Sequence, residues 1–167
     1  MVRDINKFSN NVMARQLYLT IAADQAGVPA STANGQRAIK AWLARKGIDV
    51  PELVIENGSG LSRIERISAQ SLTTLLVAAF RSPVMPELVA SLPLIAVDGT
   101  MRRRMKSESI AGQAHIKTGS LSDVRAIAGY VLDRNGRRYA VSMIVNHANA
   151  QQSQAAQDAL LNWVYTR

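Results

Sequence analysis

At 167 residues the chain is long enough for one domain with a real core, and 47% hydrophobic against 19% charged residues is a globular balance. The lack of any cysteine excludes disulfides and thiol chemistry, and the lack of an apolar run of about 18 residues excludes a transmembrane helix. A net charge of +8 favours anionic partners, yet aromatic residues at 5% are thin for base stacking and no helix-turn-helix, zinc-finger or RNA-recognition pattern occurs, so nucleic acid is not the expected partner.

In chain order, Val12, Met13, Leu17, Tyr18 and Ile21 recur at helical spacing, with Gly27 and Pro29 as the stop. Ile39, Trp42 and Leu43 mark a second helix closed by Gly47. The stretch "ELVIE" reads as a short strand leading into the turn "NGSG". Ser68 is placed to cap the apolar helix "AQSLTTLLVAAF", and Pro83, Pro86 and Pro93 cut the following region into short pieces. The basic cluster Arg102, Arg103, Arg104 and Lys106 reads as solvated surface.

The last third changes to strand-like runs, "QAHIKTG", "RAIAGYVLD" and "RYAVSMIVN", the latter two joined across Asn135-Gly136, a strong hairpin signal. The tail returns to helical spacing through Ala156, Leu160, Trp163 and Val164. The expected fold is α+β, with helices packed on an antiparallel sheet and a terminal helix. Three strands leave an exposed edge that needs cover, which would favour self-association through that edge.

Lys117-Thr118-Gly119 sits at the end of the first of these strands, and Ser9-Asn10-Asn11 lies far upstream, just before a helix. Read alone, Ser9 is a helix cap, Lys117 a solvated edge lysine and Gly119 a strand end. Read together, Ser-x-Asn before a helix and Lys-Thr-Gly near the C-terminus form the pattern of penicillin-recognising acyl-transfer enzymes. The ordered segments "RDINKFSNNVMARQLYLTIA", "ENGSGLSRIERIS", "LPLIAVDGTMRRRM" and "AHIKTGSLSDVRAIAGYV", with the closing helix, resemble the class C low-molecular-mass penicillin-binding proteins. These are D-alanyl-D-alanine carboxypeptidase/endopeptidases of the bacterial envelope. One departure is visible: the family usually has Asp-Gly-Ser-Gly where this chain has Asn57-Gly58-Ser59-Gly60.

The resemblance implies serine acyl transfer on a peptidoglycan peptide ending in D-Ala-D-Ala, with β-lactams as the parent enzyme's other partners and the periplasm or cell envelope as its location. In that scheme Ser9 relays a proton and Asn11 orients the substrate amide. Lys117 supplies a cation, Thr118 donates to the substrate carboxylate, Gly119 allows close approach, and the Ser120 N–H helps form the oxyanion hole. No cofactor is implied. His115 and His147, the only histidines, lack metal-ligand spacing, and "GSGLSR" lacks the Lys-Ser/Thr of a phosphate loop, so no metal site is expected.

The same family needs a Ser-x-x-Lys motif, and none of the serines here is followed by lysine at the third place. The polar start "MVRDINKFSN" also has no apolar core of the kind an export signal carries. The expectation is therefore that residues 1–167 are the C-terminal portion of a single penicillin-binding domain, an incomplete β-lactamase/transpeptidase-like fold that is inactive alone. The alternative is a remnant without chemistry, or a basic module binding an anionic polymer.

Overall fold

The computed structural model describes residues 1–167. Six helices and three strands follow in the order α1 (Val2–Phe8), α2 (Asn11–Ala26), α3 (Thr32–Arg45), α4 (Ala69–Phe80), α5 (Met85–Ser91), β1 (Ala114–Leu121), β2 (Val124–Leu132), β3 (Arg138–Asn146) and α6 (Gln154–Tyr165). No helix is long and apolar enough to cross a membrane. The expected α+β architecture is present, with an antiparallel sheet ordered β1-β2-β3.

The sheet is the middle of three layers because strand side chains alternate between faces. One face carries Ala114, Ile116, Ile127, Val131 and Val141, which pack with Leu161 and Val164 of α6 and with Ile95, Met101 and Ile110 of the segment before β1. The other face presents Tyr130 and Ala140 to Leu76 and Phe80 of α4 and to Val89 of α5. Ser142 ties α4 to this face by donating to the Ala69 carbonyl at 2.8 Å. A smaller cluster of Leu43, Ile48 and Leu53 joins α3 to α4 through Leu75 and Ala78.

β1 and β2 approach closely at Gly129, which pairs with Ile116. A Cβ on Gly129 would lie 2.0 Å from the His115 carbonyl oxygen, so only glycine fits without moving β1. The Asn135-Gly136 turn is fixed by buried Asp133, whose carboxylate accepts from the Asn135 and Arg137 N–H groups and from Arg137 Nε. Burial would push the Asp133 carboxyl up, but these donors hold it below the ordinary carboxylate range.

Several expectations are corrected. "ELVIE" is not a strand: its only ladder contact is a single bridge from Val54 to Arg66. The segment lacks a neighbouring strand long enough to pair with, so β-propensity alone does not make a ladder. Residues 2–8, read as polar chain, form α1. Ser9 does not cap α2; Asn10 does, accepting from the Met13 N–H at 3.0 Å, while Ser9 closes α1. Arg104 is not solvated: only 10% of its side chain is exposed, and it bonds Asp158 at 2.5 Å and Gln157 at 3.1 Å. On α6 the buried residues are Gln157, Leu161 and Val164, whereas Trp163 is exposed under the Arg167 guanidinium. Ser68 caps α4 as its position suggests.

Candidate active site

Ser9 reaches its place because α1 ends there in the left-handed region, at φ 51° and ψ 48°. A non-glycine residue in this conformation stores about 1 kcal/mol or more. The strain is held by what anchors α1. Lys7, 4% exposed, donates to the Leu92 carbonyl at 2.6 Å and to both oxygens of Asp98 at 2.8 and 2.6 Å. Asp98 also accepts from the Leu94 N–H at 2.7 Å. Burial would raise the Asp98 carboxyl, but the bonds from Lys7 and Leu94 and the Lys7 charge bring it below its ordinary value.

β1 brings Lys117 to the same point from the other end of the chain. Its ammonium donates to Ser9 Oγ, a contact across 108 residues, and to the Thr118 carbonyl at 2.7 Å. Lys117 is half-buried, and desolvation lowers its pKa from the usual lysine value. Thr118 Oγ1 points to the opposite face and donates to Thr100 Oγ1 at 2.9 Å.

The edge of β1 is covered only along its first half. The Ile95 N–H donates to the Ala114 carbonyl and the Ile116 N–H to the Pro93 carbonyl. In an antiparallel strand, outward-facing groups recur at every second residue. Residues 118 and 120 therefore continue that outward row, and beyond Ile116 no backbone group covers it. The Ser120 N–H thus faces an open edge, beside the exposed Gly119 and on the same strand as Lys117.

Of the residues singled out from sequence, Ser9, Lys117, Thr118, Gly119 and Ser120 gather along this edge. Asn11 lies in the first turn of α2, exposed and with no side-chain hydrogen bond. The turn at Asn57 forms without the family's aspartate: Asn57 Oδ1 accepts from the Ser59 N–H and hydroxyl, and Glu65 accepts from the Asn57 and Gly58 N–H groups. Gly58, at φ 74°, lies against the Tyr18 ring, so this turn packs on α2. Arg63 from the same segment pairs with Asp123 and donates to Ser122 at 2.8 Å in the β1–β2 turn. Sequence reading missed Lys7 and Asp98, because nothing local marks a lysine that is buried by partners some 90 residues away.

The D-Ala-D-Ala carboxypeptidase 3 (S13) family matches residues 1–166. The chain belongs to this family. It is 35% identical over 159 residues to a D-alanyl-D-alanine carboxypeptidase of Actinomadura sp. (strain R39), covering 92% of this chain and 29% of that protein. It is 33% identical over 153 residues to carboxypeptidase DacB of Mycolicibacterium smegmatis, covering 88% of this chain and 33% of that one. The fold superimposes on penicillin binding protein 4 of Haemophilus influenzae with a TM-score of 0.91 and 26% identity, over 99% of this chain and 39% of that structure. The S13-family chain therefore spans about a third of the length of these curated relatives.

Proposed function

We propose that this chain forms the substrate-positioning wall of a serine D-alanyl-D-alanine carboxypeptidase/endopeptidase that acts on peptidoglycan peptides in the cell envelope. The observation that carries the reading is the contact of Lys117 Nζ with Ser9 Oγ beside an open strand edge. A peptide laid along that edge adds as a further strand, with main-chain bonds setting its register. Its terminal carboxylate meets Lys117 and the Thr118 hydroxyl, and its scissile carbonyl oxygen meets the Ser120 N–H, one donor of an oxyanion hole. Gly119 leaves room for the backbone to approach. Ser9, hydrogen-bonded to Lys117, passes a proton to the leaving amine, and Asn11 turns toward the substrate amide once a peptide is bound.

The attacking serine is not supplied by these residues, since no Ser-x-x-Lys occurs among them. By this reading the 167-residue chain alone forms no acyl-enzyme, and acylation requires a nucleophile from residues outside it. Incubation with a fluorescent penicillin, followed by denaturing gel and peptide mapping, tests this. The expected result is no covalent label. Stoichiometric labelling of one serine in the isolated chain would overturn it.

A further inference from the structure

On one face of β1 the Lys117 ammonium is engaged by Ser9 Oγ and the Thr118 carbonyl. On the opposite face a cavity of about 370 Å³ opens beside Thr118, between the end of β1, the start of α6 and the segment around Thr100. Arg103, Arg125, Gln154 and Gln157 line it, and no aspartate or glutamate does. Arg125 pairs with Ser120 across the β1–β2 ladder, so its side chain rises on the same sheet face as those of Thr118 and Ser120.

The wall presents mostly donors. Arg125 is held by neutral groups: one nitrogen donates to Gln154 Oε1 at 2.8 Å and another to Ser120 Oγ at 3.4 Å. Such contacts aim a guanidinium without cancelling its charge. Neither Arg125 nor Arg103 has an acidic partner, whereas Arg104 is committed to Asp158. Gln157 is 1% exposed, its Oε1 accepts from Arg104 at 3.1 Å, and its Nε2 has no partner. A buried amide N–H without an acceptor costs free energy until something supplies one. Thr100 and Thr118 also line the cavity, and the hydroxyl hydrogen that now joins them can turn toward an incoming acceptor. A wall of this kind suits an anion, and it adjoins the open stretch of the β1 edge.

We propose that Arg103 and Arg125 read the free terminal carboxylate of the D-Ala-D-Ala peptide and so select an intact C-terminus. This rests on the reading that the peptide lies along the β1 edge with its carboxylate at Thr118, and it adds two specificity-determining residues to that reading. Thr118 donates to the carboxylate, and the two guanidiniums attract it from the face opposite Lys117. Arginine keeps its charge across the working pH range, so this attraction does not titrate away. A terminal amide of the same shape carries no charge and loses it. The cavity is about tenfold larger than the roughly 30 Å³ share of one water molecule. The terminus therefore enters with part of its hydration, and the charge contacts are partly screened.

The test is titration of the 167-residue chain, followed by amide NMR shifts, with N-acetyl-D-Ala-D-Ala and with its C-terminal amide. Arg103→Gln/Arg125→Gln should bind the carboxylate peptide about three- to tenfold more weakly than the native chain at low salt, the loss of two partly screened contacts. Its affinity for the amide peptide should change by less than about twofold. Arg125→Lys, which keeps the charge but not the planar fork, should retain part of the preference for the carboxylate. Lys117→Met should bind the carboxylate peptide more weakly, yet still better than the amide. If the double arginine variant binds the carboxylate peptide as tightly as the native chain, or loses both peptides equally, the arginine assignment is overturned; a remaining Lys117 effect leaves the proposed function standing. A native chain that responds to neither peptide, or whose shifts avoid residues 117–120, overturns both.

Discussion

Replacing Asp98 by asparagine tests whether the buried lysine of α1 holds the site. The change keeps an oxygen for the Leu94 N–H but leaves the Lys7 ammonium, 5% exposed, with the Leu92 carbonyl as its strongest remaining partner. Removing one member of a fully buried pair costs about 3–5 kcal/mol. Asp98 itself is 37% exposed, so water screens part of the effect and the expected loss is about 2–3 kcal/mol. Urea unfolding followed by circular dichroism measures it. Lys7→Met in the Asp98→Asn background should recover at least half of the loss, because the stranded charge is gone. The pH dependence follows from the direction of the Asp98 shift. Its folded pKa lies below the unfolded value, so the stabilisation is complete above about pH 4 and is lost as pH falls through the lower folded value. A loss under about 0.5 kcal/mol for Asp98→Asn, or a double variant as unstable as the sum of the two single ones, would refute the pair as the anchor of α1.

Ser9→Gly should leave stability unchanged or raise it by up to about 1 kcal/mol, since glycine relieves the left-handed strain at φ 51° while adding chain entropy to the unfolded state. The same variant should shift the Lys117 Nζ resonance, and a stability loss above about 1 kcal/mol in urea would count against strain at Ser9. Binding of N-acetyl-D-Ala-D-Ala should weaken as pH rises through the lowered Lys117 pKa, below the usual lysine value of about 10.4, because the neutral amine no longer attracts a carboxylate. Affinity that stays flat into that range would separate Lys117 from the carboxylate. The outer edge of β3 has no backbone partner, so light scattering should detect self-association at high concentration that Lys substitutions along that edge abolish. A strict monomer at all concentrations would exclude it.

The strands around Lys117 were legible because their signals are local. Apolar alternation, Asn135-Gly136 and the run from Ala126 to Val131 need no distant information to specify a meander. Tyr18 and Leu43 likewise sit on buried faces of the helices that their spacing predicts. Residues 52–56 misread as a strand because a strand exists only with a neighbour, and here one bridge to Arg66 is all that the fold supplies. Helical spacing through Ala156, Leu160, Trp163 and Val164 does not say which stripe of α6 faces the sheet; packing with Ile116 and Val141 buries Leu161 and Val164 and leaves Trp163 exposed.

For the candidate site, the sequence by itself determined the residue types: a serine before a helix, and a lysine, threonine and glycine on one strand. It also determined the S13 family, because several ordered segments carry that resemblance independently of any one side chain. Only the tertiary structure decided that Ser9 meets Lys117 and that the second half of the β1 edge stays open, since both depend on where the α1 and Pro93–Ile95 segments dock. It alone also decided that Lys7 and Arg104 are buried partners of aspartates while Arg103 and Arg125 have no acidic partner. Charge is written in the chain, but its neutralisation depends on contacts between residues far apart in sequence, and those come into being only when the core closes.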